Sequence, residues 1–122
     1  MYSSVVTKKI KSYRKTQSDV HYPRTCLCNT VGYILHTLGA EKRTVELAKI
    51  AGYLHDIGNL VNRKDHSQSG AVMAWSILND MGCDPAEMAT IVTAIGNHDE
   101  GTGVPVNAVA AAMILADKAD VR

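Results

Sequence analysis

Hydrophobic residues recur along this chain at intervals of three and four, the spacing of one helix face, in six successive stretches. Residues 3–15 place Val6, Ile10 and Tyr13 on one side and lysines on the other. Pro23 biases Tyr22 away from helical geometry, so the segment from Thr16 to Pro23 breaks the pattern. A second helix is expected from about Arg24 to Leu38, with Leu27, Val31, Leu35 and Leu38 as its buried stripe and Gly39 ending it. A third spans roughly Arg43 to Asp56; its stripe is Leu47, Ile50, Ala51 and Leu54, and Gly58 is its stop. The polar stretch from Asn59 to Asp65 reads as a loop. A fourth helix starts at Ser67 or Ser69 and runs to Met81, ahead of Gly82. Asp84-Pro85 is a strong start signal, a capping side chain followed by proline at the first helical position, and the fifth helix runs from there to about His98. Asp99 to Gly103 reads as a loop, and Pro105 opens a sixth helix that reaches about Asp120, with Val106, Val109, Ala110, Met113 and Ile114 inward. No alternating strand pattern, internal repeat or low-complexity tract interrupts this. The predicted fold is all-α: a compact bundle of about six helices in a single domain over residues 1–122, with a basic helix at 1–19 ahead of a core at 20–120.

Composition changes this picture little. A chain of 122 residues suits one domain that buries roughly two-thirds of its unfolded surface. With no Phe, the core is aliphatic, and Trp75 and Tyr53 are assigned to it. The formal net charge of +1 argues against a nucleic-acid partner. That charge is uneven: Lys8, Lys9, Lys11, Arg14 and Lys15 against Asp19 make residues 1–20 +4 and leave −3 for the remainder. A solvated helix face is the ordinary reading of such an arm, contact with phosphates or an acidic lipid surface the alternative. Three cysteines, an odd count with no secretory segment, point to a reducing cytosolic setting. Cys26 and Cys28 read as packed thiols, because residues two apart on a helix point to different sides. No apolar run approaches the 18 or so residues that a membrane span requires.

The polar residues on inward faces change the picture more. His55 and Asp56 directly follow Leu54 and flank the buried face of the third helix. Asp117 takes the next inward position after the stripe of the last helix, and His98 stands seven residues beyond Ile91 on the inner edge of the fifth. His66 lies just ahead of the fourth helix and His21 ahead of the second, whereas His36 falls off its helix's stripe and reads as surface. Each of these alone has a plainer reading: a capped helix end, a satisfied core histidine, an aspartate capping a neighbour. A buried carboxylate nonetheless requires a cation or hydrogen-bond donors. Four histidines and two aspartates converging from several helix ends form the arrangement a carboxylate–imidazole metal site demands.

In this order, with His21 first, Leu54-His55-Asp56-Ile57-Gly58 in the middle and Leu115-Ala116-Asp117 last, the chain resembles the HD superfamily of metal-dependent phosphohydrolases. His66 ahead of Gly70-Ala71, and Ile95-x-x-His98 ahead of a glycine-rich loop, look like the additional histidines of subgroups that hold two metals. Together with Ala116-Asp117-Lys118 they are similar to bacterial HD hydrolases that cut dinucleoside tetraphosphates symmetrically. The likeness covers about residues 20–120.

The resemblance implies a cytoplasmic enzyme that hydrolyses a phosphate ester or anhydride of a nucleotide or related small molecule. His21, His55, Asp56 and Asp117 would hold one divalent ion, and Asp56 would bridge to a second held by His66 and His98. Imidazole and carboxylate donors without thiolate favour Fe, Mn, Ni or Co over Mg. Asp56, His55 and Lys118 are the expected catalytic residues; Arg24, Lys118 and Lys64 are the expected phosphate contacts, with Arg63 a weaker candidate. Asn59 departs from the lysine the family commonly places after His-Asp-Ile-Gly. No membrane partner is implied, and a homo-oligomer is compatible with the pattern. The alternative is a non-catalytic HD domain that senses a nucleotide or scaffolds a signalling complex; a full ligand set favours the enzyme.

Overall fold

The computed structural model describes residues 27–98 and 104–119. The expected helix over 3–15, the loop at 99–103 and the candidates His21 and Arg24 lie outside the described residues. Five α-helices follow in order: α1 (Leu27–Thr37), α2 (Lys42–Leu54), α3 (His66–Asp80), α4 (Pro85–Gly96) and α5 (Ala108–Ala119), with a short 3-10 helix at Ile57–Leu60 between α2 and α3. No strand occurs among the described residues, so the all-α expectation holds. No helix there is long and apolar enough to cross a membrane.

Local chemistry sets most of the boundaries. The Asp84 carboxylate accepts from the backbone N–H groups of Ala86 and Glu87 at 3.1 and 3.2 Å, and Pro85 follows it as the first residue of α4. Gly39 and Gly82, at φ 83° and 72°, end α1 and α3 in the left-handed conformation that glycine adopts without steric cost. The last helix begins later than Pro105 suggests. The Asn107 side chain accepts from the N–H of Ala110 at 2.7 Å and starts α5 at Ala108, leaving Val106 outside the helix and exposed.

α2 is the central element, packed against α1, α4 and α5. Its Ile50, Ala51 and Leu54 meet Val31, Ile91, Ile95, Val109 and Met113 in one core cluster. Each fully buried aliphatic side chain of this kind contributes about 1.5–3 kcal/mol. α3 sits at the edge, against α4 and the 3-10 helix. That position explains one correction: Trp75, assigned to the core, lies on the outer face of α3 at 52% exposure. Leu38 is a second, 75% exposed, because α1 ends at Thr37 and the chain turns before the next stripe position is covered. Cys28 is a third. It is disulfide-bonded, while Cys83 is buried. His36 is exposed, as expected.

Candidate metal centre

The helix that carries the His-Asp pair stops sooner than its pattern suggests. α2 ends at Leu54; His55 keeps helical angles, and Asp56, at φ −105° and ψ 11°, turns the chain into the 3-10 helix. Gly58 therefore lies within that short helix, not beyond a stop, and the expected polar loop begins as a helical turn. His66 is the first residue of α3, not a loop residue ahead of it. Asp65, at φ 57°, bends the chain there, and its carbonyl accepts the N–H groups of Gln68 and Ser69. α4 ends at Gly96, short of the expected boundary, and His98 lies two residues beyond it at 2% exposure.

These three positions meet at one carboxylate. His55 Nε2 is 3.1 Å from Asp56 Oδ2; His66 Nε2 and His98 Nε2 are 3.3 and 3.7 Å from Oδ1. The ring of His98 stands edge-on to both others, with centroids 5.2 Å apart in each pair. All three imidazoles are fixed the same way. Nδ1 of His55 meets the carbonyl of Gly52 at 2.7 Å, Nδ1 of His66 that of Arg63 at 3.2 Å, and Nδ1 of His98 that of Ile95 at 2.5 Å. A carbonyl only accepts, so each Nδ1 carries the proton and donates it three residues back. The Nε2 atoms are left turned toward Asp56, where each can hold an ion or, when protonated, donate to the carboxylate. The side-chain amide of Gln68 also donates to the carbonyl of Gly96 at 3.0 Å, joining the start of α3 to the end of α4 beside His98.

Burial tends to raise the pKa of Asp56, but the charge and hydrogen bonds of His55, with hydrogen bonds from His66 and His98, hold it well below the usual carboxylate range. Burial likewise tends to lower that of His55. The facing Asp56 outweighs this, with contributions from the Gly52 carbonyl and the charge of Asp117, and the net direction is up. The cluster thus favours one positive charge beside the Asp56 carboxylate, supplied by a proton when no ion is there. Asp117, half-buried on α5, is near enough to act electrostatically on His55. Lys118 and Lys64 are exposed.

The donor set fits a divalent transition ion. Two donors bound at about 2.1 Å and at right angles to one ion stand about 3 Å apart, close to the separations around Asp56. The ligand atoms of His55, Asp56 and His98 all lie within 4.8 Å of one another. The sequence brought out the clustered imidazoles and carboxylate but not their supports. The carbonyls of Gly52, Arg63 and Ile95, the amide of Gln68 and the bare backbone of Gly58 carry no residue-type signal.

A family model described as HD domain matches residues 28–121. No curated protein and no solved structure matches the chain.

Proposed function

Because this chain belongs to the HD-domain family, whose members are commonly metal-dependent phosphohydrolases, we propose that it hydrolyses a phosphate ester or anhydride of a nucleotide or a related small molecule at a two-ion centre around Asp56. The observation that carries this reading is the division of labour at the Asp56 carboxylate: Oδ2 faces His55, while Oδ1 faces His66 and His98. A carboxylate whose two oxygens address different imidazoles is suited to bridge two ions, one with His55, Asp117 and His21, the other with His66 and His98.

Divalent ions bound here supply Lewis acidity toward phosphoryl oxygens and acidify water. The chain supplies the rest. Three main-chain carbonyls orient the imidazoles, so each Nε2 is aimed at the Asp56 carboxylate before anything binds. Burial of His55, His66 and His98 keeps bulk water from competing for the donors and strengthens the electrostatics of the site. Lys118, next to Asp117, is our candidate for neutralising phosphoryl charge; Arg24 and Lys64 are our candidates for substrate phosphate contacts. Fe, Mn, Ni or Co suits the mixed donors better than Mg.

The test is elemental analysis of protein purified without added metal salts, followed by a screen of nucleotide phosphoesters and dinucleoside polyphosphates. About two transition ions per chain, with hydrolysis that a chelator abolishes, is the expected result. No ion after reconstitution with Fe, Mn, Ni and Co, and no hydrolysis, would overturn the reading in favour of a sensing or scaffolding domain.

A further inference from the structure

We infer that Gly58 is a positioning residue for His66, and that the hydrogen at its Cα, in place of a side chain, is what gives the centre its second set of ligands. The inference rests on the two-ion reading above for its consequence, but on geometry of its own for its cause.

Gly58 does not need to be glycine for conformation. Among the described glycines, positive φ occurs at Gly39 and Gly82 and not here. It needs to be glycine for space. A Cβ built on Gly58 would fall 1.9 Å from the carbonyl oxygen of His66, 2.8 Å from its carbonyl carbon and 2.6 Å from the amide nitrogen of Gly70. That oxygen and that nitrogen are four residues apart in the first turn of α3, where the carbonyl of one accepts the N–H of the other. A methyl group there would sit in the hydrogen bond that starts the helix. Every atom it meets is backbone, so no side-chain rotation relieves the clash; the start of α3 must retreat. To reach the 3.4 Å of ordinary contact, the His66 carbonyl would move by more than an ångström. Ligand constellations tolerate about 0.5 Å. His66 Nε2, now 3.3 Å from Asp56 Oδ1, would leave the carboxylate.

The opposite wall of the seam is graded differently. A Cβ on Gly70 would stand 3.3 Å from the nitrogen of Gly58 and 3.5 Å from both the carbonyl oxygen of His55 and Cγ2 of Ile95. That is a tight fit, relieved by a few tenths of an ångström. His55 caps α2 and His98 lies two residues past α4, and no atom of either is among the nearest that a Cβ on Gly58 would meet. A methyl at Gly58 should therefore remove His66 from the centre and leave the other two imidazoles facing each other.

The experiment uses the full chain in two states. In metal-free protein, nuclear Overhauser contacts between imidazole rings are measured for wild type, Gly58→Ala and Gly70→Ala. The expected result is that Gly58→Ala loses the His66–His98 ring contact and keeps the His55–His98 contact, with the helical circular dichroism retained. In reconstituted protein, ions are counted and titrated: Gly58→Ala should retain one ion fewer than wild type, matching His66→Ala, and Gly70→Ala should weaken the later-binding ion several-fold without altering the first. Should Gly58→Ala fail to fold, Gly70→Ala carries the test, since a lesion at the seam must still weaken the later ion selectively. Persistence of the His66–His98 contact in Gly58→Ala, or equal weakening of both ions in Gly70→Ala, would overturn the assignment. If wild type itself takes up one ion or none, the two-ion reading fails, while the ring contacts still decide the role of Gly58.

Discussion

α2 and α4 lie side by side, and charged groups join them at both ends. At the starts of the two helices, the Arg43 guanidinium donates to both oxygens of Glu87 and, within α2, to Glu46 at 2.6 Å. At their ends, the Asp56 carboxylate faces His98 together with His55 and His66. The parts are comparable, but their surroundings are not. The Arg43 side chain is 44% exposed, so water and salt screen its attractions and would take over its hydrogen bonds were a partner lost. Asp56 has little water to fall back on, and its three neighbours are neutral groups unless one takes a proton. The exposed end is a fastening. The buried end is a carboxylate whose charge must be balanced from within the protein, by a proton on His55 or by a bound cation.

The largest effect that could break this contrast comes from Asp56→Ala. With the shared carboxylate gone, no oxygen remains between the imidazoles, and ion retention measured by elemental analysis should fall to background while the helical circular dichroism persists. Retained metal with full phosphoester hydrolysis would end the assignment. A smaller effect concerns pH. In metal-free protein the folded pKa of Asp56 lies below its ordinary 3.8, so its contribution to stability is present above that value and is lost as pH falls. His55 is raised above 6.5, so its contribution is complete below 6.5 and is lost as pH rises through the raised value. Ions require neutral imidazole, so their binding changes in the opposite sense on the alkaline side. Melting temperatures with Mn2+ and with chelator should therefore draw apart as pH rises above 6.5; a narrowing gap would contradict the coupling. Smaller still is Arg43→Ala at the exposed end, expected to cost about 1 kcal/mol or less in chemical denaturation and to leave ion content unchanged. Smallest is His36→Ala, at an exposed imidazole near the end of α1, which should alter neither stability nor metal content.

How much of this was legible depended on how local each cause is. Asp84-Pro85 named the start of α4 because cap and first turn are neighbours in sequence. His98 could be placed from Ile91 because it lies only two residues past the helix that carries Ile91, and both are buried. His66 was harder. α3 starts without a side-chain cap, on a left-handed Asp65, so the usual start signal is missing and the histidine reads as loop. Periodicity showed which face of a helix is apolar, but not whether a neighbour covers it, and hence Trp75 and Leu38 were assigned to the core. The Gly58–Gly70 seam leaves no pattern at all. It is a contact of backbone with backbone between two short elements, and a glycine after His-Asp reads equally well as a helix stop.

The way the three imidazoles are held bears on how this centre could change over generations of sequence drift. Each ring is tethered through Nδ1 to a main-chain carbonyl three residues earlier, not to a carboxylate or amide side chain. Every residue type supplies a carbonyl, so no single codon change at Arg63 or Ile95 deletes the tether itself. The neighbouring loops and the outer faces are accordingly open to substitution, while the aim of the imidazoles is inherited with the backbone.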